Sequence, residues 1–108
     1  MSHLTTHVLD GSVGRPAAGV AVRLTDEAGS LIAEGATDTD GRIADLGPER
    51  LPSGTYHVTF ATGAYFAATG TPAFYPSVTI TVAVDEAAAH YHVPLLLSPF
   101  AYSTYRGS

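Results

Sequence analysis

The chain has 108 residues, with ten acidic residues against five basic ones, a formal charge of −5 and no cysteine. That length allows one domain spanning 1–108, with a genuine core but hardly a deep, water-shielded pocket of its own. Five scattered arginines and no lysine make a poor surface for nucleic acid or an anionic membrane; the absence of cysteine excludes disulfide scaffolds, thiolate zinc sites and cysteine nucleophiles. With 45% apolar and 14% charged residues, the composition is that of a folded chain rather than a disordered one.

The opening Met1-Ser2-His3-Leu4-Thr5-Thr6 has neither the basic nor the apolar segment of a secretory leader, and no apolar run approaches the ~20 residues of a membrane span. The expected location is therefore cytoplasmic. Alternation of period two then dominates, with turn residues at short intervals. In 4–10, Leu4, Thr6 and Val8 face one way, while His7 shares the other face with His3, Thr5 and Leu9. Strand 20–25 sets Val20, Val22 and Leu24 against Ala21, Arg23 and Thr25, and strands 31–37 and 42–46 follow. Between those two, Asp38-Thr39-Asp40-Gly41 begins like a calcium loop but lacks the later ligands and the closing glutamate, so it reads as a hairpin turn.

Strand 56–60 carries Tyr56, Val58 and Phe60 on one face. A short helix is expected at 64–69, with Ala64, Ala67 and Ala68 favouring it, Thr62 placed to cap its start and Gly70 to end it. Strand 78–84 alternates Val78, Ile80, Val82 and Val84 with Thr79, Thr81 and Ala83. In 91–97, Tyr91, Val93, Leu95 and Leu97 form an apolar face, and His90, His92, Pro94 and Leu96 fall opposite; a last strand spans 101–106. Eight short strands and one helix predict an all-β antiparallel sandwich.

Histidines on the outer face of a sandwich are ordinarily solvated, and His3 and His57 are read that way. His90 and His92 share a face and, with His7, could ligate a metal. No carboxylate stands at a second fixed spacing, so the expectation is no metal. Arg42 follows the Asp40-Gly41 turn and could reach over a sheet face, although an ion pair to Asp38, Asp40 or Asp45 is the simpler reading. The C-terminal Tyr105-Arg106-Gly107-Ser108 carries more polar character than an ordinary fraying tail.

The segments Leu4-Thr5-Thr6-His7-Val8-Leu9-Asp10, Gly14-Arg15-Pro16-Ala17, Phe74-Tyr75-Pro76 and His90-Tyr91-His92-Val93-Pro94-Leu95-Leu96-Leu97-Ser98-Pro99 resemble the transthyretin-related family. The ending Tyr102-Ser103-Thr104-Tyr105-Arg106-Gly107-Ser108 is similar to the signature of its 5-hydroxyisourate hydrolase branch. The resemblance implies an eight-stranded transthyretin-like (prealbumin-like) sandwich with one short helix, assembled as a homotetramer, a dimer of dimers with sites between subunits. It implies hydrolytic opening of 5-hydroxyisourate in urate degradation without metal or organic cofactor. His7, Arg42, His92 and Ser108 are carried over as catalytic, and His7, Arg42, His92, Tyr105, Arg106, Gly107 and Ser108 as substrate-binding; His90 neighbours the motif and is not carried over. The alternatives are a non-enzymatic carrier of small aromatic ligands and a structural prealbumin-like module. Histidine and arginine at the site positions disfavour the carrier, and the terminal tetrapeptide disfavours the module.

Overall fold

The computed structural model describes residues 2–108. In chain order the elements are β1 (Leu4–Asp10), β2 (Arg15–Pro16), β3 (Ala21–Asp26), β4 (Leu31–Ala36), β5 (Arg42–Ile43), β6 (Gly54–Phe60), α1 (Thr62–Ala68), β7 (Val78–Val84), β8 (Tyr91–Leu97) and β9 (Tyr102–Thr104). One sheet runs β2-β1-β8-β9 with β5 also paired to β1, and the second runs β4-β3-β6-β7. The expected sandwich with one short helix is what forms. Among the described residues, the one departure from antiparallel pairing is central: β1 and β8 run parallel, from Leu4 opposite Tyr91 to Asp10 opposite Leu97.

The alternation identifies the core. Leu4, Thr6 and Val8 of β1 are buried against Val93, Leu95 and Leu97 of β8, with Val22 and Leu24 of β3 and Tyr56, Val58 and Phe60 of β6 facing them from the other sheet. Thr6 is tolerated there because its hydroxyl donates to the Val93 carbonyl at 2.6 Å.

Besides shifts of one or two residues at other strand ends and the two-residue β2, a ninth strand where a turn was expected, three elements differ more clearly from expectation. The strand expected at 42–46 pairs only over Arg42–Ile43. The last strand pairs over Tyr102–Thr104 rather than 101–106, and the chain then returns to β8 through an isolated bridge between Gly107 and His92. The helix begins at Thr62, earlier than expected. Thr62 is inside the helix and buried, and the N-cap is Ala61 without any side-chain cap. Burial of Thr62 and Phe66, not a capping hydroxyl, anchors α1.

His3 corrects a further expectation. It is 1% exposed rather than solvated, its Nδ1 accepts the Leu51 N–H at 2.9 Å and its Nε2 lies 2.7 Å from the Ala88 carbonyl. A carbonyl only accepts, so Nε2 carries the hydrogen and the ring is neutral and fully satisfied. His57 stands on the outer face, half-buried, beside Thr81, its partner across β6 and β7.

Candidate functional site

The site lies on the outer face of the β5-β1-β8 surface. Register brings it together: His7 of β1 is opposite Arg42 of β5, Thr5 of β1 is opposite His92 of β8, and Gly107 bridges back to His92. Residues directly opposite across neighbouring strands share a face, so three strands and the tail converge on one patch.

The Asp38–Gly41 turn aims the first two residues. Its carboxylate is spent on backbone: Asp38 accepts the Asp40 N–H at 2.8 Å and the Arg42 N–H at 3.0 Å. Those bonds, the Arg42 one foremost, hold the Asp38 carboxyl below its usual range, with the nearby charges of Arg42 and His7 adding to the effect. The turn, rather than an ion pair to the guanidinium, therefore engages Asp38. Gly41 has φ +75°, and a Cβ there would run into the Val8 carbonyl oxygen, so only glycine fits. The Asp40 carbonyl lies 2.9 Å from His7 Nε2. That nitrogen must donate, which leaves Nδ1 of a neutral His7 as its acceptor.

A cavity of about 300 Å³ is walled by Thr5, Thr6, Arg42, Ile43, Ala44, His90, His92 and Ser108, with His7 beside it. The ring of His92 is half-buried, its Nδ1 2.9 Å from Thr5 Oγ1; among the described residues its Nε2 takes no hydrogen bond. Burial pushes the His92 pKa below its ordinary value and the charges of Arg42, His7 and His90 push the same way, outweighing a hydrogen bond to the Thr5 backbone that raises it. His92 is thus a neutral imidazole at neutral pH, facing a permanent cation.

The tail divides its residues between two faces. Ser108 enters the cavity just described. Tyr105 and Arg106 instead line a second cavity, about 320 Å³, with Ile80, Val82, Tyr91 and Val93, and His92 forms part of both. The Arg106 guanidinium sits 4.6 Å from the Tyr91 ring centroid. Of the seven residues singled out in the sequence, Arg42, His92 and Ser108 share one cavity, His7 flanks it, Gly107 packs behind His92, and Tyr105 and Arg106 face the other side. The sequence pattern gives Thr5 no role and offers His90 only as a metal ligand beside His92 and His7. Their signal was Thr5 on the same face as His7, and the even spacing of His90 and His92. Among the described residues, no three histidine, aspartate or glutamate side chains are grouped to hold a metal ion.

The comparisons extend over the same segments. Residues 4–107 match the HIUase/Transthyretin family model. A 5-hydroxyisourate hydrolase of Caulobacter vibrioides is 48% identical, each chain being covered completely. The solved 5-hydroxyisourate hydrolase of Klebsiella pneumoniae superposes with a TM-score of 0.90 at 44% identity, covering 100% of this chain and 94% of that one. Transthyretin from Sparus aurata superposes with a TM-score of 0.92 at 34% identity, covering 99% and 97%. With the family model spanning nearly every residue, including both histidine strands and the bridging Gly107, the chain belongs to the HIUase/Transthyretin family.

Proposed function

We propose that this chain is a hydrolase that opens the six-membered ring of 5-hydroxyisourate, giving 2-oxo-4-hydroxy-4-carboxy-5-ureidoimidazoline in urate degradation. Fold alone does not decide this, because the enzyme and the transthyretin superpose about equally well on the chain. The observation that carries the reading is the neutral, partly buried His92 beside Arg42 and Ser108 in one cavity. An apolar carrier channel has no use for an imidazole whose charged form is disfavoured next to a fixed cation.

Each group has a step. His92 Nε2 takes a proton from water as the oxygen attacks the acyl carbon of the ring. The negative charge that develops on the carbonyl oxygen is met by the Arg42 guanidinium. As the carbon–nitrogen bond breaks, the proton on Nε2 passes to the leaving nitrogen, and the imidazole is neutral again. His7, its Nε2–H tied to the Asp40 carbonyl, orients water or substrate through Nδ1. The Ser108 hydroxyl holds a polar edge of the planar ring, with Gly107 supporting it. Tyr105 and Arg106, across His92 from this cavity, complete the substrate site once subunits assemble. No metal or organic cofactor takes part in these steps.

The assembly is a homotetramer, a dimer of dimers, with 1–108 as the single domain of each subunit. Two features support it. β7 is a seven-residue uncharged edge strand and β9 ends the other sheet, so both expose unpaired backbone along one side of the sandwich. Phe74, Phe100, Tyr102 and Tyr105 are exposed large aromatics. The subunit works in the cytoplasm as a small-molecule enzyme, apart from nucleic acid and membrane, in keeping with its acidic, cysteine-free composition; among the described residues no helix is long and apolar enough to cross a membrane.

The test is to generate 5-hydroxyisourate with urate oxidase and follow its ultraviolet absorbance with and without the protein. Faster decay is expected; an unchanged rate overturns the reading. Sedimentation equilibrium at micromolar concentration tests the tetramer separately, and a monomer there overturns it.

A further inference from the structure

Thr5 is 7% exposed, and its Oγ1 stands between two imidazoles, 2.9 Å from His92 Nδ1 and 3.0 Å from His90 Nε2. The two rings are nearly parallel, 17° apart with centroids at 6.5 Å. A hydroxyl owns a single hydrogen, so the two imidazoles cannot choose their tautomers independently. If Thr5 donates to His92 Nδ1, a neutral His92 carries its hydrogen on Nε2, and the nitrogen without a protein partner cannot accept a proton. If Thr5 donates to His90 Nε2, it accepts the His92 Nδ1–H, and Nε2 is left as a lone pair.

The surroundings favour the second arrangement. Arg42, which only donates, walls the same cavity as His92, so a lone pair on the ring nitrogen away from Thr5 is better placed than an N–H. His90 is half-exposed, and its own hydrogen on Nδ1 can be satisfied by water. The titratable and charged groups facing His92 are Arg42 from β5, His7 from β1, His90 from the residues leading into β8, and Arg106 and Ser108 from the tail.

We propose that Thr5 is the positioning residue of the site: its Oγ1 accepts the His92 Nδ1–H and donates to His90 Nε2, fixing His92 in the tautomer whose Nε2 is the proton acceptor. The tautomer assignment stands on geometry; its effect on rate rests on the hydrolase reading. Thr5 and His90 do for His92 what an orienting partner does for any histidine base, but with a neutral hydroxyl in place of a carboxylate.

The experiment is ring-nitrogen NMR of the full chain labelled with 15N-histidine, at a pH where His92 is neutral, with His92→Gln used to assign its signals. The parent is expected to carry the His92 hydrogen on Nδ1. Thr5→Val should move hydrogen to Nε2 and lower kcat by about ten- to a hundredfold, the scale on which a partner behind a working group acts, with a smaller change in KM. Thr5→Ser should restore both. His90→Phe removes the acceptor, turns the Thr5 hydrogen toward His92 Nδ1, and should reproduce the Thr5→Val spectrum. A parent His92 with its hydrogen on Nε2 overturns the proposal, as does a Thr5→Val protein with unchanged ring signals and kcat. Should Thr5→Val fail to fold, the parent spectrum and His90→Phe still decide. A parent with the expected tautomer that does not accelerate 5-hydroxyisourate decay leaves the tautomer proposal standing and overturns the hydrolase reading.

Discussion

Gly107 lies against the His92 ring so closely that a Cβ on it would stand 2.5 Å from the ring's Cδ2 and 3.2 Å from Cγ. The same residue donates its backbone N–H to the His92 carbonyl at 2.9 Å. A side chain there must push either the imidazole or the tail out of place. Gly107→Ala is therefore expected to lower kcat/KM by about a hundredfold, since a displacement near 1 Å at a reacting group costs that much. Thermal unfolding should barely move, because the tail is largely exposed. Steady-state kinetics beside calorimetry check both halves.

The pH dependence follows from His92. Burial first, then the charges of Arg42, His7 and His90, lower its pKa, so the acid limb of kcat/KM should lie below the ordinary histidine value of about 6.5. Arg42→Met removes one of those charges; the limb should shift upward even as the rate falls. The sign for stability is the same as for a depressed carboxylate. As pH falls below about 6.5 the unfolded chain takes up this proton before the folded one does, so the folded state loses stability toward acid. His92→Gln should flatten that part of the melting-temperature profile.

His3 predicts an effect on stability alone. Both ring nitrogens are used, one by the Leu51 N–H and one by the Ala88 carbonyl, and the ring meets Tyr91 edge-on with centroids 5.4 Å apart. His3→Leu leaves a buried donor and a carbonyl without partners and should cost about 2–4 kcal/mol in urea unfolding. The pH profile of the remaining folded protein should keep its shape.

Asp10, buried, and Tyr65, half-buried, make a further polar pair. Burial pushes the Asp10 carboxyl up, but hydrogen bonds from Ser12 and from the Tyr65 hydroxyl at 2.7 Å outweigh it and leave the pKa lowered. Tyr65 itself is pushed up to about 12, by burial first and then by Asp10. Tyr65→Phe should cost about 1–2 kcal/mol at neutral pH. A carboxyl with a lowered pKa stabilises the fold above about 3.9 and loses that contribution as pH falls, so the difference between parent and variant should shrink in acid. Urea unfolding at neutral pH and at about pH 3 compares the two.

Alternation made the two faces of Leu4–Asp10 and Tyr91–Leu97 legible, and with them the common side of His7 and His92. It could not show that these strands pair in parallel, because period two says which side a residue faces and not which strand lies beside it. His3 escapes the pattern for a related reason. It precedes the first strand, where the alternation no longer governs burial, and segments remote in sequence at Leu51 and Ala88 cover it. In the tail, alternation would place Arg106 and Ser108, two residues apart, on one face; pairing stops at Thr104 before resuming at Gly107, and the two line different cavities. Thr5 lay in plain view on the polar face. Only the register of β1 on β8 turns an ordinary threonine into the neighbour of two imidazoles.

That register also governs when the site can come into being. Thr5 and His92 meet across 87 positions of sequence, so none of the local contacts that form early in folding contributes to their encounter. A chain made from its N-terminus displays β1, with its histidine and threonines, long before β8 exists to pair with it. The loop between the two strands must be closed at its full entropic cost before the pair returns any stabilisation. Folding followed by recovery of activity should therefore lag behind folding followed by formation of the β3-β6-β7 sheet, whose strands are joined by much shorter connections.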